Sequence, residues 1–294
     1  MRTTVFTPTY NRGYIIEKLY KSLTRQTYKD FEWIVVDDGS TDNTEELFKN
    51  FLQNDNDFPI TYVKTQNGGK HRAINKGLKI AKGELFFIVD SDDYLTDDAL
   101  EKIDFVENTL STADGKFGGI CGAKGFSANQ IVGSTYNGDG FLDITMLERP
   151  KYKINGDKAE VFYTDVLRKY PFPEFEGEKF LTECVVWDKI ANDGYKLRFF
   201  NDIIYICDYL PDGLTASVNK NFHNSPKGYG LWLYQEHLFG KMKGLSHWNS
   251  YLNYYYEFRK ELSWYQISKN LHTNCVKFFL KINLLRVFYK IYSK

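Results

Sequence analysis

Three aspartates fall within four residues, Asp90, Asp92 and Asp93 around Ser91, directly after the apolar run Leu85-Phe86-Phe87-Ile88-Val89. Such a run reads as a buried parallel strand, and open α/β sheets hold ligands just beyond the carboxyl ends of their strands. Carboxylates this close repel one another unless a cation holds them. Oxygen-only ligation suits Mg2+ or Mn2+, and Mg2+ usually takes one or two carboxylates with substrate phosphates supplying further ligands. The chemistry implied is a divalent metal with a diphosphate. Asp and Ser after a strand also begin turns and cap helices, but Thr96-Asp97-Asp98 before Ala99-Leu100 already provides a helix start.

Two other strand-like runs end in residues that suit a nucleoside. The first ends in Thr7-Pro8-Thr9-Tyr10-Asn11-Arg12 and the second in Val35-Val36-Asp37-Asp38-Gly39-Ser40. An aromatic ring such as Tyr10 offers a stacking face for a base, and carboxylates such as Asp38 and Asp92 accept from a base N–H or a ribose hydroxyl. The plainer readings are a loop aromatic and a turn residue. A further segment, Gln66-Asn67-Gly68-Gly69-Lys70-His71-Arg72, joins a strand to a helix. Paired glycines allow close backbone approach, and the cations Lys70, His71 and Arg72 near a helix N-terminus make an anion site, here for a diphosphate. Neither Gly-x-x-x-x-Gly-Lys-Ser/Thr nor Gly-x-Gly-x-x-Gly occurs, which argues against P-loop and dinucleotide folds.

The elements that must position these residues alternate. Strands are expected over 3–8, 31–37, 60–64 and 84–90, and helices over 15–24, 42–54, 71–81 and 97–108. Asp42-x-x-Glu45 has capping-box spacing. This is βαβ alternation, hence an α/β fold with a mainly parallel sheet and helices on both faces. The Gly-rich stretch 117–140 breaks the alternation and reads as mixed or antiparallel strands and loops. A helix over 180–192 and β-like pieces at 197–200 and 203–208 follow.

The 294 residues suit one large domain, or a domain with an appendage. Lys plus Arg equals Asp plus Glu at 38 each, so no whole-protein attraction to nucleic acid is expected. Cys121, Cys184, Cys207 and Cys275 form no Cys-x-x-Cys pair, and Met1-Arg2 passes straight into Thr3-Thr4-Val5-Phe6 without signal-peptide character. A cytoplasmic chain with reduced thiols is the expectation.

Pro8-Thr9-Tyr10-Asn11, Val36-Asp37-Asp38-Gly39-Ser40, Asn67-Gly68-Gly69 and Asp90-Ser91-Asp92-Asp93 resemble, in order and spacing, the successive motifs of family 2 glycosyltransferases. The resemblance covers 1 to about 110 strongly and runs more loosely to about 215. It implies a GT-A-type, Rossmann-like α/β domain over 1–215, with a nucleotide-sugar half at 1–110 and an acceptor half at 111–215, followed by a helical extension over 216–294. It further implies a UDP-sugar donor, Mn2+ or Mg2+, and inversion at the anomeric carbon. By residue, Pro8, Tyr10 and Asp38 would hold the nucleoside, Asp90 the ribose and sugar, and Asp92 the metal, with Lys70 on the diphosphate. Family members place a carboxylate base at a helix start, often in a Glu-Asp pair; Leu181-Thr182-Glu183-Cys184 offers Glu183 without the second acid, and Glu178 and Asp188 are nearby alternatives. Tyr209-Leu210-Pro211-Asp212-Gly213-Leu214-Thr215 resembles a segment of bacterial members. The implied setting is cell-surface polysaccharide assembly on a glycan or lipid-linked glycan acceptor. Rival readings are a sugar nucleotidyltransferase, which lacks support in any Gly-rich triphosphate run after the first strand, and a non-catalytic nucleotide-sugar or glycan binder.

The tail has its own character. After Glu261 no acidic residue occurs, while Lys269, Lys277, Lys281, Arg286, Lys290 and Lys294 punctuate an aromatic-aliphatic sequence. Charge interrupts it too often for a bilayer span. It reads either as a basic amphipathic helix on an anionic membrane, at the inner face of the cell membrane, or as a helix packed on protein.

Overall fold

The structure is a computed structural model that describes residues 1–292 apart from 209, 211, 212 and 215; the resembling segment 209–215 therefore lies largely outside the described residues. The alternating patterns fold as β1 (Thr3–Thr9), α1 (Glu17–Thr24), β2 (Phe31–Asp37), α2 (Thr44–Gln53), β3 (Ile60–Lys64), α3 (Lys70–Ile80), β4 (Leu85–Ile88), β5 (Tyr94–Leu95) and α4 (Ala99–Asn108). There follow β6 (Phe117–Ser127), β7 (Gln130–Ile131), β8 (Leu142–Ile144), a 3-10 turn at Met146–Tyr152, β9 (Lys158–Tyr163), α5 (Thr164–Leu167), α6 (Cys184–Asn192) and β10 (Lys196–Ile206).

One sheet runs in the order β3-β2-β1-β4-β9-β6-β10-β5, with β7 on β6 and β8 on β10. β1 to β4 are mutually parallel, and β6 pairs parallel with β10. β9 runs antiparallel between β4 and β6. Every residue of β1 and β2 is buried, because helices cover both faces. Val5, Trp33, Val35 and Phe87 pack on one face with Leu19 of α1, Phe48 of α2 and Ile103 of α4; Phe6, Ile34 and Phe86 pack on the other with Ile74 of α3 and Val186 of α6. The alternation of partners along each strand follows from the two-residue side-chain period.

Some boundaries differ from the sequence reading, for local reasons. α2 begins at Thr44 without a capping box. Asp42 instead bonds Thr44 N and Oγ1 through Oδ1, at 3.1 and 2.6 Å, and accepts from Gly13 N at 3.0 Å through Oδ2. α1 starts at Glu17, two residues later than the pattern suggested, because the amides of Ile15 and Ile16 both donate to Arg12 O. α6 starts only at Cys184, with Glu183 as its N-cap residue. The Gly-rich stretch holds the eleven-residue strand β6 and the short antiparallel β7, followed by loop, and the two β-like pieces near 200 are the single strand β10 with a register irregularity between Phe199 and Ile203.

Beyond 216 the described residues are helical: α7 (Val218–His223), α8 (Pro226–Leu238), α9 (Gly244–Phe258), α10 (Trp264–Asn270) and α11 (Cys275–Tyr292). They share a core of Tyr251, Tyr254, Phe258, Ile267, Phe278 and Ile282. The Glu178 carboxylate accepts from the amides of Lys227 and Gly228 at 2.8 and 2.9 Å, fastening the N-terminus of α8 to the sheet domain. Lys241, after α8, bonds Asp188 on α6 at 2.8 Å and Glu236 at 2.5 Å.

Candidate functional site

The loops after β1 and β2 lock together. Asp38 N donates to Thr9 O at 2.8 Å, Asn11 N to Ser40 Oγ at 2.8 Å, and Thr41 N to Asn11 Oδ1 at 2.8 Å. Asp37, fully buried, receives Ser40 N at 2.7 Å and the Tyr62 hydroxyl. The Asp38 carboxylate turns to the next loop, accepting from Gly68 N at 2.6 Å, Gly69 N at 2.7 Å and Asn67 Nδ2 at 3.2 Å. Burial pushes its pKa up and these two amides oppose that. Asp38 thus builds the 67–69 loop as well as facing the cavity. Gly69 has φ +99°, and a Cβ there would stand 1.9 Å from Lys179 O, so only glycine lets this loop pass beneath the 177–183 segment.

The aspartate cluster divides into three separate roles. Lys70, the first residue of α3, places Nζ 2.6 Å from Asp90 Oδ1 and 2.7 Å from Glu183 Oε1. Burial alone would depress the Lys70 pKa, but Asp90 and Glu183 drive it upward. Against its own burial, Asp90 is held below the ordinary carboxylate range by Lys70 and Lys124. Asp93 is bound to the protein: its Oδ2 accepts from the Tyr205 hydroxyl at 2.6 Å, and the Tyr205 hydroxyl oxygen in turn accepts from Asp90 N at 2.9 Å. Burial, followed by the charge of Asp90, pushes Asp93 up to about 7.

Asp92 remains. Its Oδ2 lies 4.0 Å from Arg12 Nη2, and burial, then the neighbouring Asp90, raises its pKa. It is a carboxylate short of positive charge. No group of three or more His, Cys, Asp or Glu converges among the described residues. A hard cation held by Asp92 and completed by diphosphate oxygens fits that donor chemistry, since Mg2+ and its analogues use few protein ligands at such sites.

Pro8, Tyr10, Asp38, Lys70, Asp90, Asp92 and Glu183, each singled out by sequence, line one cavity of about 1540 Å3, whereas His71, Arg72 and Glu178 are not among its lining residues. Tyr10 is 47% exposed, leaving its ring a free face. Lys70, expected on a diphosphate, is instead tied between two carboxylates. The alternative acids Glu178 and Asp188 are engaged in fastening the C-terminal helices and are buried. Among the cavity residues that escaped the sequence reading are Lys124 on β6, Glu160 on β9 and Arg149 on the 146–152 turn. For Lys124 and Glu160 the signal was a charge inside an apolar strand, as in Gly-Ala-Lys124-Gly-Phe and Lys-Ala-Glu160-Val-Phe; Arg149, on a turn, carried no such signal.

The profile described as Glycosyl transferase family 2 matches residues 4–118. An uncharacterized glycosyltransferase of Haemophilus influenzae is 30% identical over 184 residues, covering 62% of this chain and 70% of that one. The Campylobacter jejuni GalNAc(5)-diNAcBac-PP-undecaprenol beta-1,3-glucosyltransferase is 27% identical over 234 residues, 78% of this chain and 72% of its own. Glycosyltransferase GlyG of Streptococcus pneumoniae is 38% identical over 99 residues, 34% of this chain, and the match spans only 33% of its length. Among solved structures, Staphylococcus aureus TarS 1–349 in complex with UDP-GlcNAc superposes with TM-score 0.60 at 20% identity, covering 96% of this chain and 72% of that one. The Pyrobaculum calidifontis mannosyltransferase PcManGT, in complex with GDP-Man and Mn2+, gives 0.56 at 21% identity, covering 99% and 75%. These two likenesses bear on the fold, which is the GT-A type. With its motifs on the ends of β1, β2 and β4 and a relative matched over most of its length, the chain belongs to the family 2 glycosyltransferases.

Proposed function

We propose that this chain moves a sugar from a UDP-sugar to a hydroxyl of a glycan or lipid-linked glycan, with inversion, in cell-surface polysaccharide synthesis. Residues 1–215 carry the reaction and 216–294 form a helical appendage. One observation carries the reading: the ends of β1, β2 and β4 and the start of α6 bring Tyr10, Asp38, Asp92 and the Lys70–Glu183 pair around a single cavity. The names of the relatives support it, since TarS was solved with UDP-GlcNAc and the Campylobacter enzyme is named for an undecaprenol-linked glycan.

In this reading Tyr10 stacks on the base beside Pro8, while Asp38 holds the 67–69 loop against the nucleoside and offers its remaining lone pairs. Asp92 holds Mn2+ or Mg2+, and a divalent cation bound there offsets the charge that develops on the departing diphosphate. Glu183 is the base. Its Oε1 is pinned by Lys70, and no other side chain among the described residues bonds Oε2, which leaves Oε2 to take the acceptor hydroxyl's proton as that oxygen bonds to the anomeric carbon. Lys70, shared with Asp90, positions this base against the donor end of the cavity.

The α11 helix supports a peripheral contact with an anionic membrane. Phe278 and Ile282 are buried in the helical core, while Val276, Leu280, Leu284 and Val287, spaced four, four and three residues apart, are 57–67% exposed on another side, beside Lys277 and Lys281. An apolar stripe with flanking lysines and no acid after Glu261 complements anionic headgroups. No helix among the described residues is long and apolar enough to cross a membrane. The cytoplasmic face is the matching location.

UDP release from a panel of UDP-sugars, with and without Mn2+ and simple glycoside acceptors, tests the main reading. Metal-dependent release that Asp92→Asn abolishes while the fold survives is expected. Undiminished turnover by Asp92→Asn with metal would sink the metal site, and absence of release from every donor, despite UDP binding, would sink the transferase.

A further inference from the structure

Glu160 has no part in the mechanism above, yet its placement is unusual for an acid. It is the third residue of β9, whose first residues lie beside the end of β4 because the two strands run antiparallel. Ala159 and Val161 face one core, while Phe162 faces the other and packs on Trp187 with ring centroids 4.5 Å apart. By strand alternation Glu160 shares the side of Phe162, the side on which α6 and the 146–152 turn wall the cavity.

Among the described residues no other residue bonds or ion-pairs with the Glu160 carboxylate at hydrogen-bond distance. A strand acid in a desolvated setting normally has such a partner. Burial pushes its pKa up, while Arg149 and Lys124 pull the other way. Lys124 holds its ammonium 4.0 Å from the Tyr205 ring centroid, near enough to Glu160 to favour the carboxylate without closing on it. The result is a carboxyl group on the cavity wall, unbonded to any other described residue and with two cations nearby. A carboxylate of this kind can take two or more O–H donors, and a sugar ring presents neighbouring hydroxyls with matching geometry.

We propose that Glu160 binds ring hydroxyls of a sugar in the cavity and so helps set which sugar the protein accepts. The inference rests on the glycosyltransferase reading. The sugar belongs either to the UDP-sugar or to the acceptor glycan, and the same variants separate the two sources.

Calorimetry on wild type, Glu160→Gln and Glu160→Ala, each checked for an unchanged melting temperature, compares UDP with UDP-glucose, UDP-galactose and UDP-GlcNAc. UDP release at rising concentrations of p-nitrophenyl glycosides gives the acceptor KM. A charge-assisted hydrogen bond lost to a sugar hydroxyl lowers affinity about ten- to hundred-fold. Loss of the gain in affinity of a UDP-sugar over UDP, with UDP itself unchanged, assigns Glu160 to the donor sugar. A raised acceptor KM with donor binding intact assigns it to the acceptor. UDP-sugar affinity and acceptor KM both within twofold of wild type would overturn the proposal, as would equal weakening of UDP alone. Wild type that fails to bind UDP at all would count instead against the transferase reading. If either variant does not fold, the other supplies the comparison, and competition by free glucose, galactose and N-acetylglucosamine for wild-type UDP-sugar binding and turnover gives a second measurement: no competition by any of them overturns the sugar site.

Discussion

Replacing Lys70 with methionine separates a positioning role from a ligand-binding one. The side chain keeps most of its length but loses the ammonium that lies 2.6 Å from Asp90 and 2.7 Å from Glu183. Removing one partner of a buried ion pair costs about 3–5 kcal/mol, much of it from the charge left behind. Here the three side chains retain 21%, 31% and 32% exposure, so water relieves part of the cost and about 2 kcal/mol is expected. At roughly 2–4 °C per kcal/mol for domains somewhat smaller than this chain, that is a fall of about 4–8 °C in melting temperature. Two carboxylates without their cation also repel. Mn2+ in the absence of nucleotide should therefore stabilise Lys70→Met more than wild type, and adding Glu183→Gln should recover part of the loss, so that the double variant is less destabilised than the sum of the singles. Differential scanning fluorimetry of the four proteins, with and without Mn2+, measures all of this. A fall below about 1 °C, or strict additivity, would refute the bridging role and return Lys70 to solvent or to the diphosphate.

Asp38→Ala should cost about 2–3 kcal/mol by leaving the Gly68 and Gly69 amides without their acceptor, and should weaken UDP binding by calorimetry; unchanged values for both would remove Asp38 from the loop's support. Gly69→Ala should melt well below wild type, because its Cβ would meet Lys179 O at 1.9 Å on a backbone of φ +99°; a melting temperature equal to wild type would show that the loop relaxes freely. Burial lowers the pKa of both His71 and His247 to about 4, with Arg72 adding to it at His71 and His237 and Lys277 at His247. The unfolded chain, at about 6.5, then binds more protons between those values, so stability is full above about 6.5 and falls as pH drops toward 4, by at most about 3 kcal/mol for each histidine. Urea melts from pH 7 to 5 should follow that slope, and His247→Phe should flatten it; an unaltered slope would exclude His247. Leu284→Glu should lower co-sedimentation with anionic phosphatidylglycerol vesicles without changing melting, and equal binding would remove the membrane contact from α11.

The sheet edge was legible because strand-end chemistry and strand periodicity agreed. The runs at 31–37 and 60–64 appear as strands with those bounds, and in the first of them burial on both faces goes with the near-continuous apolar pattern that marks a central parallel strand. Legibility ended where a residue's role depends on a partner far along the chain. Asp38 reads as a turn residue that also suits a ribose, and nothing within the first forty residues reveals that its carboxylate holds amides thirty residues later. Asp90, Asp92 and Asp93 look equivalent in sequence. They differ because Lys70 claims the first, Tyr205 claims the third, and the second has only Arg12, 4.0 Å away, as its ion-pair partner among the described residues.

The same dependence governs Lys70. At a helix N-terminus after two glycines a lysine favours an anion, and the sequence offered a diphosphate as the only anion in view. The fold supplies two protein carboxylates instead, one from β4 and one from α6, elements separated by almost a hundred residues. A lysine so committed makes the separation of Asp90 and Glu183, the proposed donor contact and the proposed base, a property of the protein rather than of a bound substrate. Under the proposed reaction, groups held in register by the first residue of α3 need no rearrangement of their own when substrate binds.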